Sequence, residues 1–255
     1  MTKKLRVFFT LAAAASAAAS AYAGLGSVIS SFPLAGTIMA HGVAWNGEYL
    51  AVTNYHASGD RTWRHYTTTG SLVGSFDPPL GPYSPVQFGA EFDGTYYWGS
   101  DLFQQKYVYR FTTQGSTISS FPAPDPSGIA WDGSYLWIMS LYGGTVRQYT
   151  TGGSVVKSFA VAPIDAGYDM AWDGTYLWCA NRPLSGPNYI FRFTTEGTVV
   201  ASFAAPGTFT TGCGCDGRYL WLSDNSGTKS VYQVDAELTY NVAPASLGKV
   251  KALFR

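Results

Sequence analysis

Three groups of side chains in this sequence have the types that chemistry uses. His41, His56 and Asp60, with Arg61 beside the last, bring two imidazoles and a carboxylate close together along the chain. Such a set can ligate zinc or serve as acid and base, although the spacing fits no standard motif. Solvated loop histidines are the plainer alternative. Glu91 and Asp169 are carboxylates at positions where a recurring pattern otherwise places Ala or Gly. Both are expected on strands lining a central channel, where a carboxylate must be paired, hydrated or bound to a cation. The sequence therefore allows a divalent cation or the polar end of a ligand there, or simple hydration. Finally, Asn54, Asp101, Ser140, Asn181 and Asp224 recur as small polar residues at one position of the pattern. They form either caps for the following loop or a polar rim around a ligand.

The pattern that positions these residues is a repeat of about forty residues. Its signature is Gly-x-Ala-Trp-Asp-Gly-x-Tyr-Leu-Trp, seen in full at Gly128–Trp137 and with substitutions at Gly42–Leu50, Gly89–Trp98, Asp169–Trp178 and Gly212–Trp221. Asn-Gly or Asp-Gly at its centre reads as a two-residue hairpin turn whose positive φ angles these residues supply. The turn aspartates Asp93, Asp132, Asp173 and Asp216 are accordingly read as turn formers. A second phrase, Thr-Thr-x-Gly followed by a strand ending in Ser-Phe, recurs with its phenylalanines at Phe76, Phe121, Phe159 and Phe203. Together the phrases predict four antiparallel strands per repeat, which is a propeller blade. The fifth repeat ends near Val234 without a Ser-Phe strand. That strand stands instead at the N-terminus, Gly26–Phe32. Joining it to the last blade predicts an all-β, five-bladed ring closed by its own N-terminal strand.

Outside the ring, Lys3, Lys4 and Arg6 precede an apolar, Ala-rich run and the Ala21-Tyr22-Ala23 motif. This is the pattern of a secretory signal over residues 1–23, removed before Gly24; an uncleaved anchor is the alternative. The propeller is expected over 24–240, and 241–255 form a short basic tail, with no further segment apolar enough to span a membrane. Residues after the signal carry 13 basic against 16 acidic side chains, which argues against a nucleic-acid partner. Cys179, Cys213 and Cys215 are odd in number. One disulfide involving Cys179, buried free thiols and a metal site all remain open.

The strand order and Asp-Gly hairpins resemble the NHL and YWTD-like group of propellers, although NHL rings usually have six blades. The resemblance implies a face that gathers the variable loops, with the uniform turns on the other. Here the variable loops carry Tyr55, Tyr83, Phe103, Tyr142, Tyr168, Phe209 and Arg182. His65, within a strand, is expected to pack there. Aromatics beside Asn, Asp and Arg suit a glycan or a protein partner. The leading expectation is a secreted, noncatalytic binding or scaffold protein. The competing one is an enzyme acting at the channel mouth, a metal-assisted lyase or hydrolase or a glutaminyl-cyclase-like catalyst. A structural role in a layer or fibre is the third.

Overall fold

The computed structural model describes residues 24–35, 39–54, 62–78, 87–103 and 105–238. His56, Asp60, Arg61, Tyr55, Tyr83, residues 1–23 and residues 241–255 lie outside them. Among the described residues twenty strands form five antiparallel sheets of four. The N-terminal strand β1 (Val28–Pro33) precedes blade one, which comprises β2 (Ala40–Trp45), β3 (Leu50–Asn54), β4 (Trp63–Tyr66) and β5 (Leu72–Phe76). Blade two comprises β6 (Gln87–Phe92), β7 (Tyr97–Asp101), β8 (Tyr107–Phe111) and β9 (Thr117–Pro122). Blade three comprises β10 (Pro126–Trp131), β11 (Leu136–Ser140), β12 (Thr145–Tyr149) and β13 (Val155–Ala160). Blade four comprises β14 (Gly167–Trp172), β15 (Leu177–Asn181), β16 (Tyr189–Phe193) and β17 (Val199–Ala204). Blade five runs β18 (Gly214–Cys215), β19 (Leu220–Asp224), β20 (Ser230–Val234) and then β1, so the ring is closed as the sequence predicts.

The core is a set of wedges between blades. Trp98, Trp137, Trp178 and Trp221, each from the second strand of its blade, are fully buried against the next blade. Trp98 packs with Leu136 and Tyr149, Trp137 with Leu177 and Phe193, Trp178 with Leu220 and Val234, and Trp221 with Leu50 and Tyr66. Blade one has Ala51 where the others have Trp. Its indole comes from Trp63 on β4 instead, which packs edge-on to Tyr97 and Phe111.

The hairpin turns depart from the sequence expectation. Positive φ is confined to the glycine, +93° at Gly47 and +92° at Gly94, while the preceding Asn or Asp keeps an ordinary φ. That residue stands one place before the tip. Asp93 Oδ1 accepts the amides of Thr95 and Tyr96, and Asp132, Asp173 and Asp216 repeat the arrangement. The second oxygen takes the indole N–H of the tryptophan five residues on, at 2.7–2.9 Å. These aspartates are therefore turn formers that also anchor the core tryptophan. A signal for this was present: Asp and Trp occur together in blades two to five, and blade one has neither, carrying Asn46 and Ala51. Trp63 correspondingly finds no acceptor for its Nε1 among the described residues.

Closure involves more than strand addition. In blade one, Thr67 N–H reaches Ser71 O and Gly70 N–H reaches Thr67 O. In blade five, Asp235 N–H reaches Ser27 O and Gly26 N–H reaches Asp235 O, at 2.9 and 2.8 Å. One turn is thus rebuilt from two chain ends. Gly26 has φ +84°, and a Cβ there would lie 2.6 Å from the ring of Phe203 in blade four. Gly70 meets Phe32, and Gly153 meets Phe121, in the same relation. Deleting residues 24–33 should abolish the cooperative thermal unfolding transition. A circular permutant joining residue 238 to Gly24 by a short linker, and opened in the loop between blades one and two, should fold with a transition as sharp as the parent's. Circular dichroism melting checks both.

Candidate functional site

The innermost strand of every blade pairs on one side only, so its other edge points its N–H groups at the ring axis. Two tiers matter. Val43, Ala90, Ile129, Met170 and Cys213 are equivalent in the repeat, as are Trp45, Phe92, Trp131, Trp172 and Cys215 one turn of the pleat further on. Asp169 and Glu91 reach these tiers. Asp169 Oδ2 accepts from Val43 N–H at 3.0 Å and Cys213 N–H at 3.1 Å, and Oδ1 from Met170 N–H at 2.9 Å. A single carboxylate thereby joins the inner strands of blades four, five and one. Glu91 Oε1 accepts from Phe92 N–H at 2.8 Å and Oε2 from Trp131 N–H at 3.2 Å, joining blades two and three.

Position explains why these two residues break the repeat. The Gly that Asp169 replaces exists for close approach: a Cβ on Gly42 would lie 2.5 Å from Phe88 O, and one on Gly89 2.2 Å from Ser127 O. Between blades four and five the side chain of Asp169 enters that seam. The sequence reading that both carboxylates face the channel is what the structure shows, and their oxygens accept from backbone amides. Burial raises the Asp169 carboxyl well above the usual carboxylate range despite three amide donors, and Glu91 adds to the rise. Burial likewise pushes Glu91 up to about 8, against the pull of the Phe92 and Trp131 amides. The residue as a whole is half-buried.

On the variable face, the residue before the conserved Gly position forms a ring of its own: His41, Phe88, Ser127, Tyr168 and Thr211. His41 lies 4.6 Å from Phe88 between ring centres and stacks on Tyr168 at 6.3 Å, with interplanar angle 7°. Phe88 also meets Phe103 edge-on at 5.3 Å and packs with Leu102 and Leu141. These rings cap the channel mouth. Burial, and then the charge of Arg182, lower His41 to about 4, so it is neutral at physiological pH. Arg182 lies on the ring of Phe209 at 3.6 Å.

The recurrent polar residues are buried and clamp loops. Asn54 Oδ1 accepts from Met39 N–H, Asn181 Oδ1 from Ala166 N–H, and Asp224 Oδ2 from Phe209 N–H and Thr210 Oγ1. Ser140 Oγ donates to Pro124 O. These four hold the loop that enters the inner strand of their own blade, whereas the sequence suggested the loop that follows; Asp224 holds that one too, its Oδ1 accepting from Ser226 N–H at 2.8 Å. Asp101 does hold the following loop, through Gln105 N–H at 3.0 Å.

His41 is therefore in the mouth, Arg182 and Tyr168 stand beside it, and Glu91 and Asp169 lie deeper. His56 and Asp60 fall outside the described residues. Among the described residues no group of three His, Cys, Asp or Glu is arranged to hold a metal ion. The three cysteines are free, Cys179 lying 3.8 Å from the Met139 sulfur. His65 packs in its strand, 3.0 Å from the Tyr97 hydroxyl.

A carboxyl raised by folding binds its proton more tightly in the native state than in the unfolded chain. Stability is then lost as pH climbs from the ordinary carboxylate range through about 8 for Glu91, and Asp169 carries the same sign. The melting temperature of the parent should fall between pH 5 and 8.5, and Glu91→Gln should flatten that slope. Parallel profiles would show that Glu91 is ionised in the folded ring.

No protein-family model matches the chain, and no curated protein matches it in sequence. Among solved structures it is similar to the glutaminyl cyclase of Myxococcus xanthus, with TM-score 0.67 and 11% identity over 82% of this chain and 95% of that one. Virginiamycin B lyase of Staphylococcus aureus aligns with TM-score 0.48 and 18% identity, over 78% of this chain and 66% of the lyase. A streptogramin B lyase structure aligns with TM-score 0.46 and 20% identity. At these identities the likeness is one of architecture: the chain is a five-bladed β-propeller with the build of that cyclase ring.

Proposed function

We propose that the protein is a noncatalytic binding protein, exported from the cell, whose variable face recognises a glycan or a protein. The observation that carries this reading is the placement of its aromatic rings. Tyr142 and Phe103 are 63% and 58% exposed on that face, around a mouth capped by His41, Phe88 and Tyr168. An exposed ring offers a large rigid contact area at little conformational cost. The channel carboxylates point the same way, because their oxygens are occupied by amides of the scaffold. Export rests on the leader pattern in residues 1–23.

One observation favours the second reading, a channel-mouth enzyme. Burial pushes the Glu91 carboxyl up to about 8, so it keeps its proton near pH 7, as a general acid would. The architectural likeness to a glutaminyl cyclase names the reaction to try. Under that reading Glu91→Gln abolishes cyclisation of an N-terminal glutaminyl peptide. Under the binding reading the parent protein releases no ammonia from that peptide.

Binding is tested by titrating a panel of polysaccharides and surface proteins against Phe103→Ala and Tyr142→Ala. Each variant should bind at least about tenfold more weakly while melting as the parent does. Equal affinity of parent and variants for every panel member overturns the reading. Export is tested by expressing the full chain in a bacterium and sequencing the N-terminus of the protein found outside the cytoplasm, which should begin at Gly24.

A further inference from the structure

Towards the end of the ring opposite the variable loops, the third strand of each blade places one side chain beside the core-tryptophan position of the second. These residues are His65, Arg110, Gln148, Arg192 and Gln233. The adjoining hairpin turns end in Tyr49, Tyr96, Tyr135, Tyr176 and Tyr219. In blade two Arg110 donates to Asp93 Oδ2 from Nε at 3.2 Å and Nη2 at 2.8 Å. Its guanidinium lies 4.3 Å from the ring of Tyr96 and 5.2 Å from that of Trp98. Arg192 repeats the arrangement on Tyr176 and Trp178, 3.6 Å from Asp173. Arg218, from the turn itself, covers Tyr219 at 4.9 Å, and His65 stacks on Tyr49 at 6.3 Å. Among the described residues no cation or ring covers Tyr135. It is 37% exposed, whereas its four equivalents are half-buried.

Blade three has the shorter Gln148 at the arginine position, and a cavity of about 380 Å³ stands there, in the seam with blade four. It is bordered by Asp132, Tyr135, Trp137, Gln148, Lys157 and Trp172. Its volume falls in the range of roughly 300–1,000 Å³ that small-ligand sites occupy. Lys157, paired with Gln148 across the outer strand, does one half of what Arg110 does. Its ammonium lies over Trp137 at 5.2 Å and is held by Glu196 of blade four at 2.5 Å. The other half stays open. Asp132 Oδ2 receives the Trp137 indole N–H alone among the described residues, where Asp93 Oδ2 receives an indole and a guanidinium. Blade two thus shows, on the same turn, which group fits the place.

We infer that the blade-three cavity binds the arginine side chain of a partner polypeptide, its guanidinium standing where Arg110 stands in blade two. Asp132 Oδ2 accepts the guanidinium N–H groups and Tyr135 receives its flat face, a charge-assisted bond joined to a cation–π contact. Lysine fits less well, because an ammonium has no plane to lay on the ring while donating sideways. Glu196 already holds Lys157, the one cation on the cavity wall, so nothing there receives the carboxylate of a free amino acid. The stem of the guest therefore belongs to a chain. This site lies away from the variable face and does not rest on the reading above.

The test follows the Trp137 indole N–H resonance by NMR while acetyl-Gly-Gly-Arg-Gly-Gly-amide is titrated into the protein. The same peptide with citrulline or lysine in place of arginine, free arginine and cellotetraose are titrated alongside. Saturable binding of the arginine peptide is expected, about tenfold tighter than that of the neutral, isosteric citrulline peptide. Tyr135→Ala should weaken it about fivefold and melt as the parent does. Gln148→Arg combined with Lys157→Ser copies the Arg110–Ser119 pair of blade two and fills the cavity from within. That variant should lose the peptide and melt no lower than the parent. Equal affinity for the arginine and citrulline peptides, or binding of neither, overturns the inference. An equal affinity for the lysine peptide overturns the guanidinium assignment. Free arginine binding as tightly as the peptide overturns the polypeptide guest. Cellotetraose moving this resonance where the arginine peptide does not gives the cavity to a sugar and overturns the arginine. Undiminished binding to the filled variant, or to Tyr135→Ala, overturns the site.

Discussion

The structure depends on one constraint: no blade can bury its own faces. A four-stranded sheet of this length leaves its central tryptophan exposed unless the next sheet covers it, and five sheets in a circle satisfy the requirement for one another. The repeat serves that constraint directly. The turn aspartate holds the indole by its N–H, the indole faces the neighbour's Leu or Tyr, and the outer-strand phenylalanine closes over the neighbour's turn glycine. Blade one shows how tightly the elements are coupled. Losing the tryptophan at Ala51 goes with a new one at Trp63, a tyrosine at Tyr97 to meet it, and an asparagine at Asn46 whose amide reaches the Tyr97 hydroxyl at 2.9 Å.

A circle of edge strands creates a second requirement at its centre. Ten inner-edge amides in two tiers converge on the axis, where side chains of the repeat are Gly, Ala and other small residues. Two carboxylates, one per tier, meet five of those donors. The cost is desolvation, visible in the raised proton affinity of both groups. Their arrangement resembles an anion held in a nest of backbone amides, with the anion supplied by the chain itself.

Much of this was legible in the residues. Repeating glycines, the Asp-Gly phrase and the displaced Ser-Phe strand determine blade number and closure, because each is a local signal that recurs. The inward placement of Glu91 and Asp169 was legible as well, since a charge in an Ala or Gly position of a repeat has few places to go. What those carboxylates bind was not, because the donors are backbone amides and leave no mark in a sequence. The polar residues Asn54 and Asn181 were misjudged in direction: antiparallel pairing brings the end of the second strand beside the start of the first. The pairing of Arg182 with Phe209 joins two loops of neighbouring blades and has no sequence spacing to reveal it.

The turn shared by Asp235 and Gly26 has a consequence for the order of events in synthesis. Its two halves are 209 positions apart, among the widest separations in the chain. The N-terminal half leaves the ribosome first and must wait for the last blade before it has anything to pair with. Until then blade one lacks the Phe32 that covers Gly70, and blade four lacks the Gly26 that meets Phe203. Closure is therefore a late, long-range event. A chain threaded through a membrane pore as an extended strand would reach the far side with its first segment still unpaired, and the ring would shut only when the final strand arrived.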